Sequence, residues 1–209
     1  MSVKPIIFSD PMVRAIRDDR KTVTRRLTNL KDQSVVKCGP KTMAALGHPI
    51  VAASSPYASG DLLWVRETWT AWSATMGTMP EIYYRADNIL NPENKNFFAV
   101  KWRPAIYMPK SIARLFLRVT DVCPVRLQDI TDDDAEREGF SEEAALKDEE
   151  LDTKGSIYGG MFKPRYVFAV YWDYPRKPAD RVKYGWDANP WVWRIEFRRA
   201  DKPENWPKV

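Results

Sequence analysis

Apolar and polar positions alternate most strictly from Asn189 to Phe197, where Trp191, Trp193, Ile195 and Phe197 share one face of a predicted strand. Leu62 to Trp69 is a second predicted strand, an apolar run interrupted by Arg66 and Glu67 and expected to be central in a sheet. Lys4 to Phe8, Ile82 to Arg85 and Leu115 to Val122 are further predicted strands, the last with Leu115, Leu117 and Val119 on one face, and Thr22, Val23 and Thr24 favour a strand as well. Met12, Val13 and Ile16 recur at helical spacing behind Asp10-Pro11, which predicts a helix with Asp10 as its N-cap and Pro11 at its first position, ending near Asp18 to Arg20. A shorter helix is predicted behind Thr131: acids fill its first turn and Gly139 closes it. Ser141 begins a further helix, Ser111 to Arg114 reads as a helical turn, and Val167, Val170, Tyr171 and Tyr174 form a core-type stripe ending at Pro175. Residues 28–60, 71–80, 87–96 and 154–161 read as loops, and the tail from Arg198 as irregular.

The length, 209 residues, suits one domain, and 44% hydrophobic with 12% aromatic residues is enough to build its core. The net charge of +5 favours anionic partners but is too small to name one. Its distribution says more. Arg14 to Arg26 holds six basic residues against Asp18 and Asp19, while Asp132 to Asp152 holds eleven acids against Arg137 and Lys147, so one side is expected to be basic. Cys38 and Cys123 are isolated, no Cys-x-x-Cys pair occurs, and neither a signal-peptide core nor a membrane-length apolar run is present, so a cytoplasmic chain is expected. The one histidine, His48, reads as a loop residue and cannot assemble a usual metal-ligand set, so no metal or cofactor is expected and chemistry falls to Lys, Thr, Glu or Asp.

The candidate chemistry lies in Arg20-Lys21-Thr22-Val23-Thr24-Arg25-Arg26, where cations crowd around two hydroxyls. Such crowding is self-repulsive and is explained by an anionic or polar ligand. In a regular strand Lys21 and Thr24 would face opposite ways, so their convergence requires a turn that persists to about Lys21. Glu138 sits in the last turn of the short helix, where the dipole is negative and a carboxylate calls for a cationic partner or a function.

In order, Arg20-Lys21-Thr22-Val23-Thr24-Arg25, Gly60-Asp61-Leu62-Leu63-Trp64-Val65, Leu115 to Val122, Ala135-Glu136-Arg137-Glu138-Gly139-Phe140 and Trp193-Arg194-Ile195-Glu196-Phe197 resemble the ASCH domain family of the PUA-like superfamily. Val65-Arg66-Glu67-Thr68-Trp69 and Asn189-Pro190-Trp191-Val192-Trp193 look like those of longer phage and prophage members. The resemblance implies an α+β fold, a PUA-like mixed β-barrel with flanking short helices, as a single domain over 1–209 with loop insertions at about 30–56 and 70–110. It also implies a cleft for RNA or a modified nucleoside.

Some ASCH proteins are amidohydrolases that deacetylate N4-acetylcytidine, and by resemblance their catalytic residues fall on Lys21, Thr24 and Glu138. Glu67 is a rival carboxylate. Arg20, Thr22, Arg25, Arg26, Arg66, Glu67 and Trp69 are the candidate substrate-binding residues. Thr24 would be the nucleophile and Lys21 its base if burial and neighbouring arginines lower its pKa, while Glu138 orients the lysine. Two other readings stay open: an RNA-binding module in which the cations hold phosphates, and a ribonuclease using a lysine base. No membrane association is expected, and no protein partner can be inferred.

Overall fold

The computed structural model describes residues 2–28, 55–72, 81–87, 101–141 and 163–207. His48, Cys38, the acidic run after Ser141 and the glycine-containing loop before Lys163 lie outside the described residues. Among the described residues no helix is long and apolar enough to cross a membrane.

Strand formation follows the apolar pattern. Val3–Ile7 (β1), Val23–Leu27 (β2), Leu62–Arg66 (β3), Phe116–Arg126 (β6) and Trp191–Ala200 (β7) make one sheet in the order β1-β3-β6-β7-β2. The β1–β3 pair is parallel and the other three pairs are antiparallel, with an irregularity in β6 between Val119 and Asp121. Trp69–Trp72 (β4) and Glu81–Tyr84 (β5) form a separate antiparallel pair. With Asp10–Arg17 (α1), Asp132–Arg137 (α2), Pro164–Asp173 (α3) and Pro178–Tyr184 (α4), the architecture is α+β with a mixed sheet. Among the described residues no ladder joins β1 to β2; Arg26 Nη2 crosses that gap and donates to the Ile7 carbonyl at 2.6 Å.

The sheet is buried on both faces, which is why its central strands are apolar rather than alternating. Leu63 and Val65 of β3 pack with Ile16 of α1 and with Leu117, Trp193 and Ile195. Leu62 and Trp64 face the opposite way, toward Trp69, Phe116 and Trp206. A third cluster, built from Ile130, Ala135, Phe140, Val167, Phe168 and Val192, seats α2 and α3 at the far end. Each fully buried aliphatic side chain in these clusters contributes about 1.5–3 kcal/mol.

Several sequence expectations shift. The predicted strand from Leu62 to Trp69 breaks at Glu67 and Thr68, because the wholly buried Glu67 turns to pair with the part-buried Arg114 and the chain restarts as β4. The N-cap of α1 is Ser9, one residue earlier than expected, and Asp10 enters the first turn, paired with Arg85. On α3 the buried stripe is Val167, Phe168 and Trp172, whereas Tyr174 is 63% exposed. The helix is thus rotated from the expected face. The C-terminal strand continues through Ala200, and Trp206 anchors the tail edge-on to Phe116 at 4.7 Å between ring centres. Helix α4 was not predicted; none of its residues is buried, so it carries no apolar stripe.

Candidate active site

Two turns create the site. Helix α1 ends with Asp18 as C-cap and Asp19 in the left-handed region at φ +56°, and the backbone N–H groups of Arg20 and Lys21 both donate to the Ala15 carbonyl, at 2.9 and 3.0 Å. The turn therefore persists through Lys21, and β2 begins only at Val23. Strand alternation does not hold Lys21 away from Thr24. Thr22 is tied on both sides, its N–H donating to Arg137 O at 2.9 Å and its carbonyl accepting from Phe197 N–H at 2.9 Å.

The second turn closes α2. Thr131 Oγ1 caps the helix by accepting from Asp134 N–H at 3.1 Å. At the other end Phe140 N–H donates to Ala135 O (3.1 Å) and Gly139 N–H to Glu136 O (2.8 Å), the paired bonds of a Schellman motif. Gly139 has φ +101°, and a Cβ there would meet Ala15 Cβ at 3.0 Å and Lys21 Cβ at 3.6 Å. Glycine is thus required twice, for the backbone and for close contact with α1.

This motif leaves Glu138 at the negative end of α2, where two cations meet it. Lys21 Nζ donates to Glu138 Oε2 at 2.6 Å, to the Glu138 carbonyl at 2.8 Å and to the Val23 carbonyl at 2.8 Å. Its three N–H donors are filled, and the amine lies beside the peptide that leads into Thr24. Arg25 Nη1 donates to Glu138 Oε1 at 3.1 Å. Lys21, Thr24 and Glu138 are each 2% exposed. Burial pushes the Lys21 pKa below the usual 10.5; the Glu138 charge and hydrogen bond oppose that shift, while Arg26 and Arg25 add to it.

Charge alternates onward from Arg25. Arg25 Nη2 donates to Asp134 Oδ2 at 2.6 Å, Arg194 Nη2 reaches Asp134 Oδ1 at 3.2 Å, and Arg194 Nη1 pairs with Glu196 Oε1 at 2.5 Å. Arg137 closes the row on Glu196 Oε2 at 3.3 Å. Burial alone would raise the Asp134 pKa, but Arg25 and Arg194 hold it below the ordinary carboxylate value. The row fixes the Arg25 guanidinium between two carboxylates.

Above this base opens a cavity of about 360 Å³. Thr24, Arg25 and Glu138 contribute its polar lining, and Met12, Phe140, Phe168, Tyr171 and Trp172 its apolar and aromatic lining. Arg26, Tyr174 and Arg176 line it as well. Lys21 is not a lining residue and lies behind Glu138. Arg25 Nε is buried and has no hydrogen-bond partner among the described residues. A volume of this size with few polar groups in aromatic walls matches a small-molecule or nucleobase pocket.

The structure brings Lys21, Thr24, Arg25, Arg26 and Glu138 together. Arg20 instead pairs with Asp18 at 2.9 Å, and Thr22 Oγ1 accepts from Arg137 Nε at 3.4 Å. Arg66, Glu67 and Trp69 belong elsewhere. Arg66 donates to the Ile106 carbonyl and lies over the Trp64 ring, Glu67 accepts from Arg114 Nε and Nη2 at 2.9 and 2.8 Å, and Trp69 packs in the Phe116 cluster under Arg103. Sequence reading missed the aromatic lining and the Asp134–Arg194–Glu196 row. The signal available for the first was the density of aromatic residues behind Pro164, and for the second the opposite charges on α2 and β7.

No protein-family model and no curated protein matches this chain. Among solved structures it is similar to an ASCH domain from Lactobacillus crispatus JV V101, at 11% identity and a TM-score of 0.38, over 95% of this chain and 79% of that one. That is a loose likeness.

Proposed function

We propose that the cavity is the active site of an amidohydrolase that removes the acyl group from an N4-acylated cytidine or a related modified nucleobase. The observation that carries the reading is the buried Lys21–Glu138 pair, 2.6 Å long, directly behind a cavity lined by Thr24 and aromatic side chains. Aromatic walls suit a base's faces, and the polar lining suits its acylated edge.

In this reading Lys21 acts as the neutral amine, the form that burial favours, and takes the Thr24 hydroxyl proton as Oγ1 attacks the acyl carbon. Charge developing on the acyl oxygen is met by the Arg25 guanidinium, which lines the cavity. The C–N4 bond then breaks, the proton on Lys21 passes by way of the Glu138 carboxylate, which lines the cavity, to the leaving amine, and the acyl group remains as an ester on Thr24. Water cleaves that ester, giving up a proton to Lys21 by way of Glu138 on attack, and Lys21 returns that proton to Thr24 Oγ1 on collapse as the acyl group leaves as the acid. Glu138 orients Lys21 throughout, and Asp134 holds Arg25 against Glu138.

One observation favours a second reading, RNA-base binding without reaction: the three donors of Lys21 are already filled, as in an ion pair whose role is to hold the two turns together. Incubation of the purified protein with N4-acetylcytidine, followed by chromatography, separates the two. The amidohydrolase reading predicts cytidine from the wild type and none from Thr24→Ala. Binding of N4-acetylcytidine without release of cytidine by the wild type sinks that reading and leaves the binding one.

A further inference from the structure

Counter-charges are unevenly distributed around the cavity. Arg25 is neutralised by Glu138 and Asp134. Arg26 and Arg176, which line the same cavity, make no ion pair among the described residues. Arg26 has the Ile7 carbonyl as its acceptor and lies 5.1 Å from the Phe8 ring centre. Arg176 lies against the Trp172 ring at 4.0 Å from its centre. Neither is freely solvated: both are part-buried, and burial pushes the pKa of each below its usual value. Carboxylates act on them only from beyond contact, Glu138 on Arg26 and Asp173 and Asp180 on Arg176, and among the described residues none closes an ion pair, so an anion in the cavity would complete both. A neutral acylated nucleoside supplies none.

We infer that Arg26 and Arg176 form a phosphate subsite of the cavity, so that the substrate carries a phosphate in addition to its base. The inference rests on the proposed nucleobase site and extends it. Guanidiniums are matched to phosphate oxygens in geometry and charge, and stacking on Trp172 leaves the Arg176 N–H edge available for such contacts. The phosphate has two possible sources, the monoester of a free nucleotide or the phosphodiester of an RNA strand, and the chemistry at the two arginines is the same for both.

The experiment is calorimetric titration of the full-length protein with cytidine, with cytidine 5′-monophosphate and with a short oligoribonucleotide containing one cytidine. The subsite predicts that one or both phosphorylated ligands bind about tenfold or more tighter than cytidine, with an advantage that shrinks as salt rises. In Arg176→Gln and in Arg26→Gln the ratio of phosphorylated to unphosphorylated affinity should fall toward one. A stronger gain from the monophosphate identifies a nucleotide substrate, and a stronger gain from the oligomer an RNA. Equal affinities for all three ligands in the wild type, or a ratio unchanged in both variants, overturns the inference. Because these ligands carry no acyl group, the outcome is independent of turnover. A preserved phosphate preference in a protein that fails to hydrolyse N4-acetylcytidine removes the amidohydrolase reading alone.

Discussion

Replacing Lys21 by methionine keeps most of the side chain's volume and removes only its charge and donors. Three acceptors then lose their partner: Glu138 Oε2, the Glu138 carbonyl and the Val23 carbonyl. Deleting one member of a buried ion pair costs about 3–5 kcal/mol. Arg25 still holds Glu138 Oε1 at 3.1 Å, which places the expected loss near the lower end, about 3 kcal/mol. For a domain of this size that is a fall in Tm of about 6–12 °C. Glu138→Leu should cost a similar amount by orphaning Lys21, whereas the double variant Lys21→Met/Glu138→Leu removes both charges and should recover about 2 kcal/mol or more of the summed loss. Urea denaturation of the four proteins closes the cycle. Additivity within about 0.5 kcal/mol would contradict a buried, coupled pair.

Three further outcomes follow from the same structure. Gly139→Ala should destabilise by about 2 kcal/mol or more, combining a left-handed backbone with the contact to Ala15, whereas Gly60→Ala, at φ +86° with nothing within 4 Å of its Cβ, should cost only about 1 kcal/mol; equal losses in thermal unfolding would remove the packing argument. Burial alone would raise the Asp61 pKa, but Lys4 Nζ, the Ser2 N–H and hydroxyl and the Ala58 N–H hold it well below the usual 3.8. A depressed folded-state pKa gives stability that is fully present above the unfolded value and lost as pH falls through the folded one. The stability gap between wild type and Asp61→Asn should therefore be flat from neutral pH to about 5 and shrink below about 4, and a gap unchanged down to pH 2 would contradict the assignment. If Lys21 is the base, kcat/KM for N4-acetylcytidine should rise with pH along one limb whose midpoint lies below 10.5. A rate independent of pH from 6 to 10 would exclude that role.

Sequence pattern reached the strands of the five-stranded sheet and the short helix because their signals are local, whereas β4 falls partly in a segment read as a loop. Two-residue alternation in β7, the continuous apolar run of β3 and the Thr131 and Gly139 caps of α2 each bias the backbone without distant help. The requirement for a turn at Lys21 was also legible, since strand geometry alone would separate it from Thr24. What brings Lys21 to Glu138 was not. That contact spans 117 residues and depends on Gly139 approaching Ala15, a packing event with no local signature. Arg66 and Glu67 show the reverse failure. Adjacent to a predicted core strand and flanked by tryptophans, they suggest a site, yet the break after β3 turns Glu67 toward Arg114 and away from the cavity. The cavity's aromatic lining escaped for a third reason: Phe168 and Trp172 serve the core and the cavity at once, and the crowded aromatic residues of α3 satisfy more than one periodicity.

The most direct test of the catalytic assignment compares wild type with Thr24→Val, which keeps the branched side chain and deletes the hydroxyl. Single-turnover reactions with excess protein over N4-acetylcytidine, run beside a binding titration, read chemistry and affinity separately. The account predicts that Thr24→Val binds N4-acetylcytidine about as tightly as the wild type and forms cytidine at least about a thousandfold more slowly. Cytidine formation at the wild-type rate by Thr24→Val would contradict the assignment of Thr24 as the nucleophile.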